Sequence, residues 1–309
     1  MSYLILLPRV RVENANAVAG LTWGFPAITQ FLGYTHALSR RLQQSDGLIL
    51  EGCAVICHDS QVHAHSSGRD FQFALTRNPL TKEGKTAAFN EEGRMHLTVS
   101  LLIECKGEIA NGEYGKKALV QRLAEICQRH KLAAGSIVDM REPQIFDYPH
   151  DDKQLRKILW RLMPGFALCD RHPWLTEHHQ TLQQTQPQAT LLDAWLDFAA
   201  LKYQSEEDEG KVEWRYRPKP QPGYLVPLMC GYQRISPLYA PGEVANARDA
   251  ETPFAFTEAV YGVGEWRSLH RITDLQTLLW RYYTTETGYY CRAVPLPEEI
   301  SFNEFDDLE

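Results

Sequence analysis

Residues 94–101 read Arg94-Met95-His96-Leu97-Thr98-Val99-Ser100-Leu101, an unbroken alternation of polar and apolar side chains. A period of two is a strand, with Met95, Leu97, Val99 and Leu101 on a buried face and Arg94, His96, Thr98 and Ser100 on a hydrogen-bonding one. Upstream, residues 48–58 (LILEGCAVICH) are a continuous apolar run of strand length. Before them Ile28, Phe31, Leu32, Thr35, Leu38 and Leu42 recur at helical spacing. Pro26 stands at the first turn and Gly47 closes the segment. Residues 3–12 (YLILLPRVRV) read as a strand, with Leu4, Leu6, Val10 and Val12 on one face and Arg9 and Arg11 on the other. Downstream, Leu119, Leu123, Ile126, Cys127 and His130 mark a helix over 116–131, ended by Ala133, Ala134, Gly135 and Ser136.

Residues 1–140 therefore spell β-α-β-(arm)-β-α, five of the six elements of an RRM-like (ferredoxin-like) unit in an α+β protein. The sixth strand falls at 137–140 or at 165–169 (GFALC), the second being preferred, after a short helix at 152–163. The arm, at about 59–93, is polar and Gly-punctuated. Residues 141–222 read as a helical insertion, with helix over 172–204, followed by a loose linker at 205–222 that turns from acidic to Arg/Pro-rich. Residues 223–309 read as a β-rich C-terminal part with an arm bearing Arg248, a final helix from Asp274 through Tyr283 and an acidic tail.

Composition narrows the function classes. The 309 residues are 44% hydrophobic, enough for a sizeable core, and a wholly disordered chain is excluded. No uncharged apolar run reaches the length of about 18 residues needed to span a bilayer, and the N-terminus lacks a signal-peptide pattern. Seven scattered cysteines, an odd number, point to reduced thiols in a cytoplasm. The formal charge of −7 is concentrated in Glu206–Glu209 and in six carboxylates after residue 297. Without those ten, 29 carboxylates face 32 Lys and Arg, so the folded body is near neutral or mildly basic.

No Rossmann glycine fingerprint, P-loop or nucleophile elbow occurs. Cys53 and Cys57, with His58, His63 and His65, are the best metal candidate, but no second Cys pair at zinc spacing accompanies them, and no metal or cofactor is expected. His36, His58, His96 and His270 are conceivable general bases for RNA cleavage, yet none has a partner fixed by spacing. The remaining signals fit single-stranded RNA held by stacking and by cations, and fit equally a solvated sheet face, a solvated arm and, for Phe25, a hydrophobic staple on the core. The Arg94 and His96 face presents donors. Arg77, Asn78, Lys82 and Lys85 place three cations and an amide in the turn-rich arm, suited to phosphates. Trp23 and Phe25 flank a glycine before a helix N-terminus. Trp266, Arg267, His270 and Arg271 combine a ring with cations, and Arg248 follows an Asn-Ala pair.

Long strings carry a sharper reading. They are LILLPRVRVENANAVAGLTWGFP (4–26), LTRNPLTKEGKTAAFNEEGRMHLTVSLL (75–102), KLAAGSI (131–137) and MPGFALCDR (163–171). GYLVPLMCGYQRISPLYAPGEVANARDAETPFAF (223–256) and YGVGEWRSLHRITDLQTLLWRY (261–282) continue the series. In consistent order they resemble the family of second subunits of the Csy complex, the type I-F CRISPR surveillance complex, which are Cas-five-type proteins. The likeness is weakest at 140–220 and in the tail. Ala134 departs from an expected second glycine, and Ala27 from a serine after the proline.

The resemblance implies a non-catalytic subunit that holds the 5′ handle of the CRISPR RNA and supports antiviral defence. Its implied partners are the large subunit and the first backbone subunit, with target DNA close by and no membrane. It adds Gly135 and Ser136, in the small-residue loop, to the RNA-binding candidates. Some Trp, Tyr and Pro in 223–290 become interface anchors. The competing reading is an RRM-like endoribonuclease that processes CRISPR precursor RNA.

Overall fold

The computed structural model describes residues 2–208, 211–247 and 249–293 (the side chain of Asp208 excepted). Its core is one eleven-stranded antiparallel sheet with five α-helices. Along the chain come β1 (Ser2–Asn16), α1 (Ile28–Asp46), β2 (Ile49–Val62), β3 (Arg94–Lys106), α2 (Gly112–Arg129) and β4 (Gly135–Asp139). Then follow α3 (Asp152–Arg161), β5 (Phe166–Asp170), α4 (His172–Thr185), α5 (Leu191–Ala199), β6 (Tyr224–Arg234), β7 (Thr257–Ser268), β8 (Arg281–Thr284) and β9 (Gly288–Arg292). Across the sheet the principal strands lie in the order β4-β1-β3-β2-β5-β7-β6-β9-β8.

The first unit forms for the reasons its sequence gives. β3 alternates half-buried Arg94, His96 and Thr98 with buried Met95, Leu97, Val99 and Leu101, and the latter pack with α1 and α2 in the first core. Helix α1 ends where Gly47 adopts φ 67°, a left-handed conformation that costs glycine little, and its N–H bonds the Gln43 carbonyl. Pro26 stands one residue ahead of the N-cap, Ala27, rather than inside the first turn. The arm between β2 and β3 is two small hairpins, Ala64–Ser66 with Phe71–Phe73 and Leu75–Arg77 with Phe89–Glu91.

Five expectations need correcting. Of the two segments expected to supply the next strand, residues 135–139 rather than 165–169 join the edge of β1: β4 pairs antiparallel with β1, while β5 adds beside β2. Within β1 the facing changes midway. Leu4 and Leu6 point into a second core under α3, but Ile5, Leu7, Val10 and Val12 enter the first. A bulge at Pro8–Arg9, where Arg9 has φ 54° and the register with β3 shifts between Leu7 and Val10, resets the alternation.

The helical stretch at 172–204 breaks into α4 and α5, because Thr190 and Asp193 form a capping box that starts a new helix. The loose linker is instead a hairpin, Lys202–Asp208 paired with Lys211–Arg217, although part of the acidic run lies on it. Finally, 274–283 is not a helix. Leu275, Leu278 and Leu279 have helical spacing, yet they sit as turns in the second core. Trp280 exchanges backbone hydrogen bonds with Cys53 in both directions, at 2.9 and 3.0 Å, and the Tyr/Thr-rich residues after it continue as β8. Arg248 and the acidic tail lie outside the described residues.

Candidate nucleic-acid interface

The sheet has a face away from α1 and α2. Its lower part is covered by α3 and the segment 269–279, which bury Leu4, Leu6, Ala54, Ile56 and Leu102. Its upper part is open: Arg11 pairs with Thr98, Asp59 with Thr98 on the other side, and Gln61 with His96. The covered part begins at Ser100, which is 1% exposed, so the polar face runs over Arg94, His96 and Thr98 and stops one residue short of expectation.

What stops it is a polar joint. Because the bulge removes Arg9 from the ladder, its N–H donates to Ser100 Oγ at 2.9 Å. Pro8 tolerates this place because it has no N–H to pair. His58 Nδ1 lies 2.7 Å from the Pro164 carbonyl oxygen and Nε2 lies 2.6 Å from Ser100 Oγ. A carbonyl only accepts, so the proton sits on Nδ1 and Ser100 donates to Nε2. This is the spacing of a base and a nucleophile, but the hydroxyl is buried beneath the bulge. The guanidinium of Arg9 donates to the carbonyls of Met163 and Pro164, at 3.2 and 3.3 Å. Burial first, then the charge of Arg141, lowers the pKa of Arg9. His58 is lowered by burial above all, with Arg9 and Arg141 adding to it against the Pro164 hydrogen bond. Arg141 is held here by its N–H to the Pro8 carbonyl.

Arg9 and Arg141, neighbours at this joint, and Arg267, on β7 opposite the buried Ala167, have no carboxylate partner among the described residues, whereas Arg11 pairs with Glu13 and Arg94 with Glu92. A second bulge places Asn14 at φ 55°, and its N–H donates to His96 Nδ1 at 3.3 Å. His63 stands edge-on to His96, ring centroids 4.2 Å apart. The open face is thus a polar and imidazole surface with hydroxyl and amide donors. Its Arg11 and Arg94 are each paired with a glutamate and Asp59 lies among them, so the cations left for a polyanion are Arg9 and Arg141 at its edge.

The candidate residues divide into groups. Arg94 and His96 lie on the open face at the root of the arm. Trp23 flanks the same root from the other side, with its ring 5.5 and 5.4 Å from those of Phe71 and Phe73 in the arm. With Phe25 and Trp266, which meet edge-on at 4.8 Å, Trp23 lines a cleft of about 450 Å³ on the helix side of the sheet. The exposed rings of Phe166 and Tyr224 complete it, and no Arg or Lys lines it. On the arm, Arg77 lies over the Phe89 ring at 5.2 Å, and the Asn78 amide donates to the Ala88 carbonyl. Lys82 pairs loosely with Glu83, and Lys85 is exposed. Arg267 is half-buried on β7, while His270 and Arg271 are exposed after it, His270 Nδ1 lying 2.8 Å from Ser268 Oγ. Four general-base candidates remain scattered: His36 contacts the Tyr282 hydroxyl at 3.2 Å, far in sequence and partner from the others. Among the described residues no three His, Cys, Asp or Glu side chains are placed to hold a metal, and burial pushes the Cys53 thiol up to about 12.

Gly135 is buried at the start of β4, where a Cβ would meet Val12 Cγ1 at 2.6 Å and the Glu13 oxygen at 2.7 Å. Its role is close approach to β1. Ser136, exposed beside it, pairs with Glu13. Ala133 and Ala134 hold φ 50° and 62°, a left-handed region that strains a Cβ. Ala134→Gly is therefore expected to raise the unfolding free energy by about 0.5–1 kcal/mol. Urea midpoints measure this, and a lowered midpoint would refute the strain.

Sequence reasoning undervalued Arg9 and Arg141. The signal for Arg9 was a proline interrupting the alternation of a strand; for Arg141 none was present.

Comparison with known proteins joins this geometry to a family. The profile described as CRISPR-associated protein (Cas_Csy2) matches residues 5–291. The chain belongs to this family. A protein named CRISPR-associated protein Csy2, from Pseudomonas aeruginosa (strain UCBPP-PA14), is 39% identical over 313 residues, covering 94% of this chain and 95% of that protein. This is the family that the long sequence strings resemble. No described helix is long and apolar enough to cross a membrane.

The joint also sets a pH response. His58 in the joint and, separately, the half-buried His172 at the start of α4, whose enclosed Nδ1 has no hydrogen bond, are both held below the ordinary value of 6.5, chiefly by burial. A base depressed in the folded state binds its proton more readily when unfolded. Stability is therefore complete above about 6.5 and is lost as pH falls below it toward the folded-state values. Thermal melts should show a lower Tm at pH 5.5 than at 7.5; an equal or higher Tm at pH 5.5 would contradict this.

Proposed function

We propose that the chain is a non-catalytic RNA-binding subunit of a type I-F CRISPR surveillance complex. It holds the single-stranded 5′ handle of the CRISPR RNA beside the large subunit and a backbone subunit, close to target DNA. Family membership supports the complex. The RNA role rests chiefly on one observation: Arg9 and Arg141, without a carboxylate partner among the described residues, stand together at the edge of the open sheet face that carries Arg11, Arg94 and His96. An RRM-like reading of residues 1–140 is supported by the order β4-β1-β3-β2, which counted within that unit is 4-1-3-2, the order of a split β-α-β fold.

In this reading the handle crosses the open face under the arm. The guanidinium groups hold phosphates, His96 and Thr98 meet 2′-hydroxyls or base edges, and Trp23 offers a ring where the strand leaves the sheet. Arg77, Asn78, Lys82 and Lys85 close over it from the arm. Guide pairing reads the target, so a constant handle is all this subunit has to recognise.

The test is co-expression with the remaining subunits and a CRISPR array. A complex that retains this chain and a small RNA, with the RNA lost when its 5′ handle is replaced by an unrelated sequence, is the expected result. Retention of RNA irrespective of the handle, or site-specific cleavage of repeat RNA by the purified chain, would overturn the reading.

A further inference from the structure

The hairpin at 202–217 is amphipathic in a way its surroundings do not use. Its register pairs Tyr203 with Tyr216, Ser205 with Trp214 and Glu207 with Val212, so these six side chains share one face. The other face carries Lys202, Gln204 and Glu206 opposite Arg217, Arg215 and Glu213. On the first face Tyr203, Val212, Trp214 and Tyr216 are 60%, 63%, 69% and 47% exposed. The two strands pair with each other and with no strand of the main sheet.

A two-stranded ribbon is marginal in water on its own, and four large apolar side chains on one side of it are an uncovered surface. The helix that leads into the hairpin has the same character. α5 buries Ala194, Trp195 and Phe198 in the third core, yet exposes Leu191, Leu192 and Leu196 on other sides, and Leu201 is exposed at the junction. Apart from Asp193 and Asp197, which are held by Thr190 and by His178 and Lys202, the helix therefore presents apolar side chains both to the core and to solvent.

Charge selects what covers it. Residues 206–213 hold five carboxylates and one lysine, and Arg215 is shared between Glu206 at 3.0 Å and Glu213 at 3.4 Å. Such a tip repels the phosphates of a nucleic acid and attracts a basic surface.

We propose that the aromatic face of the 202–217 hairpin docks on a neighbouring protein subunit that presents an apolar groove with a basic rim. The inference rests on membership of a complex and not on where the RNA lies.

The test is hydroxyl-radical footprinting of Trp214 and Tyr216 in the isolated chain, in the chain with single-stranded RNA, and in the complex co-expressed with the other subunits. Burial at the centre of an interface should slow oxidation of both rings by about fivefold or more in the complex, with no change from RNA alone. Trp214→Ser with Tyr216→Ser should cut recovery of the chain in the complex by about tenfold, as expected for aromatic anchors, while leaving its own melting curve in place. Glu206→Lys with Glu207→Lys should weaken recovery in the same direction. Equal oxidation free and in complex, protection by RNA alone, or protection that grows with the concentration of the isolated chain would overturn the proposal, the last two in favour of RNA or of a second copy. Absence of the unaltered chain from the complex would overturn the subunit reading as well, which separates the two failures.

Discussion

Trp280→Ala is expected to lower the unfolding free energy by about 3–5 kcal/mol, the range for truncating a fully buried large aromatic. The indole is completely enclosed in the first core, while its neighbours Leu278 and Leu279 belong to the second. Its Nε1–H donates to the Leu168 carbonyl on β5 at 2.9 Å. Its backbone bonds Cys53 on β2. One residue therefore ties the C-terminal segment to two strands at the centre of the sheet, and truncation both opens a cavity and orphans a buried carbonyl. Urea denaturation measures it. A loss under about 1 kcal/mol would mean the segment 269–280 contributes little to holding the sheet's two halves together.

The second large effect is on binding. Removing Arg9, Arg141 and Arg267 together (each to Ala) should weaken binding of handle RNA by roughly 10- to 100-fold near physiological salt. It should also flatten the slope of log K against log salt by about 2, since each phosphate contact to a single strand contributes about 0.7. Arg9 also caps the Met163 and Pro164 carbonyls, so the variant's melting curve is the necessary control. Weaker binding with an unchanged slope would mean the arginines hold the fold rather than phosphates. Arg77→Ala with Arg94→Ala should produce a smaller change in the same direction, because Arg94 is committed to Glu92 and Arg77 to the Phe89 ring.

Where the sequence was legible, local pattern and tertiary packing agreed. The 94–101 alternation is the open and buried faces of β3, and the α1 stripe is its core face. Misreadings arose where one residue altered the phase or where helical spacing was met by another fold. Arg9 in a left-handed conformation inserted a residue into β1 and turned Leu4 and Leu6 away from Val10 and Val12. Leu275, Leu278 and Leu279 kept the i, i+3, i+4 spacing, but the pull of Trp280 into a bridge with β2 outweighed any helix. Residues 205–217 read as part of a linker, and 202–204 as the end of a helix, because charge hides the alternation of the hairpin: Tyr203, Ser205 and Glu207 do not look like one face until Tyr216, Trp214 and Val212 are set opposite.

For the site, the chemistry of single residues was legible and their grouping was not. Arg94 and His96 share a surface, but Trp23, Phe25 and Trp266 line a cleft without cations on the far side of the sheet. Arg141 reaches the open face only because its backbone is tied to Pro8, a contact across 133 positions that no local pattern announces.

Ultraviolet cross-linking of the complex's own RNA, with the linked peptides mapped by mass spectrometry, addresses the open face most directly. Cross-links concentrated in residues 9–16, 94–98 and the arm are expected. Cross-links confined to the outer surfaces of α1 and α2, with none on those strands, would contradict it.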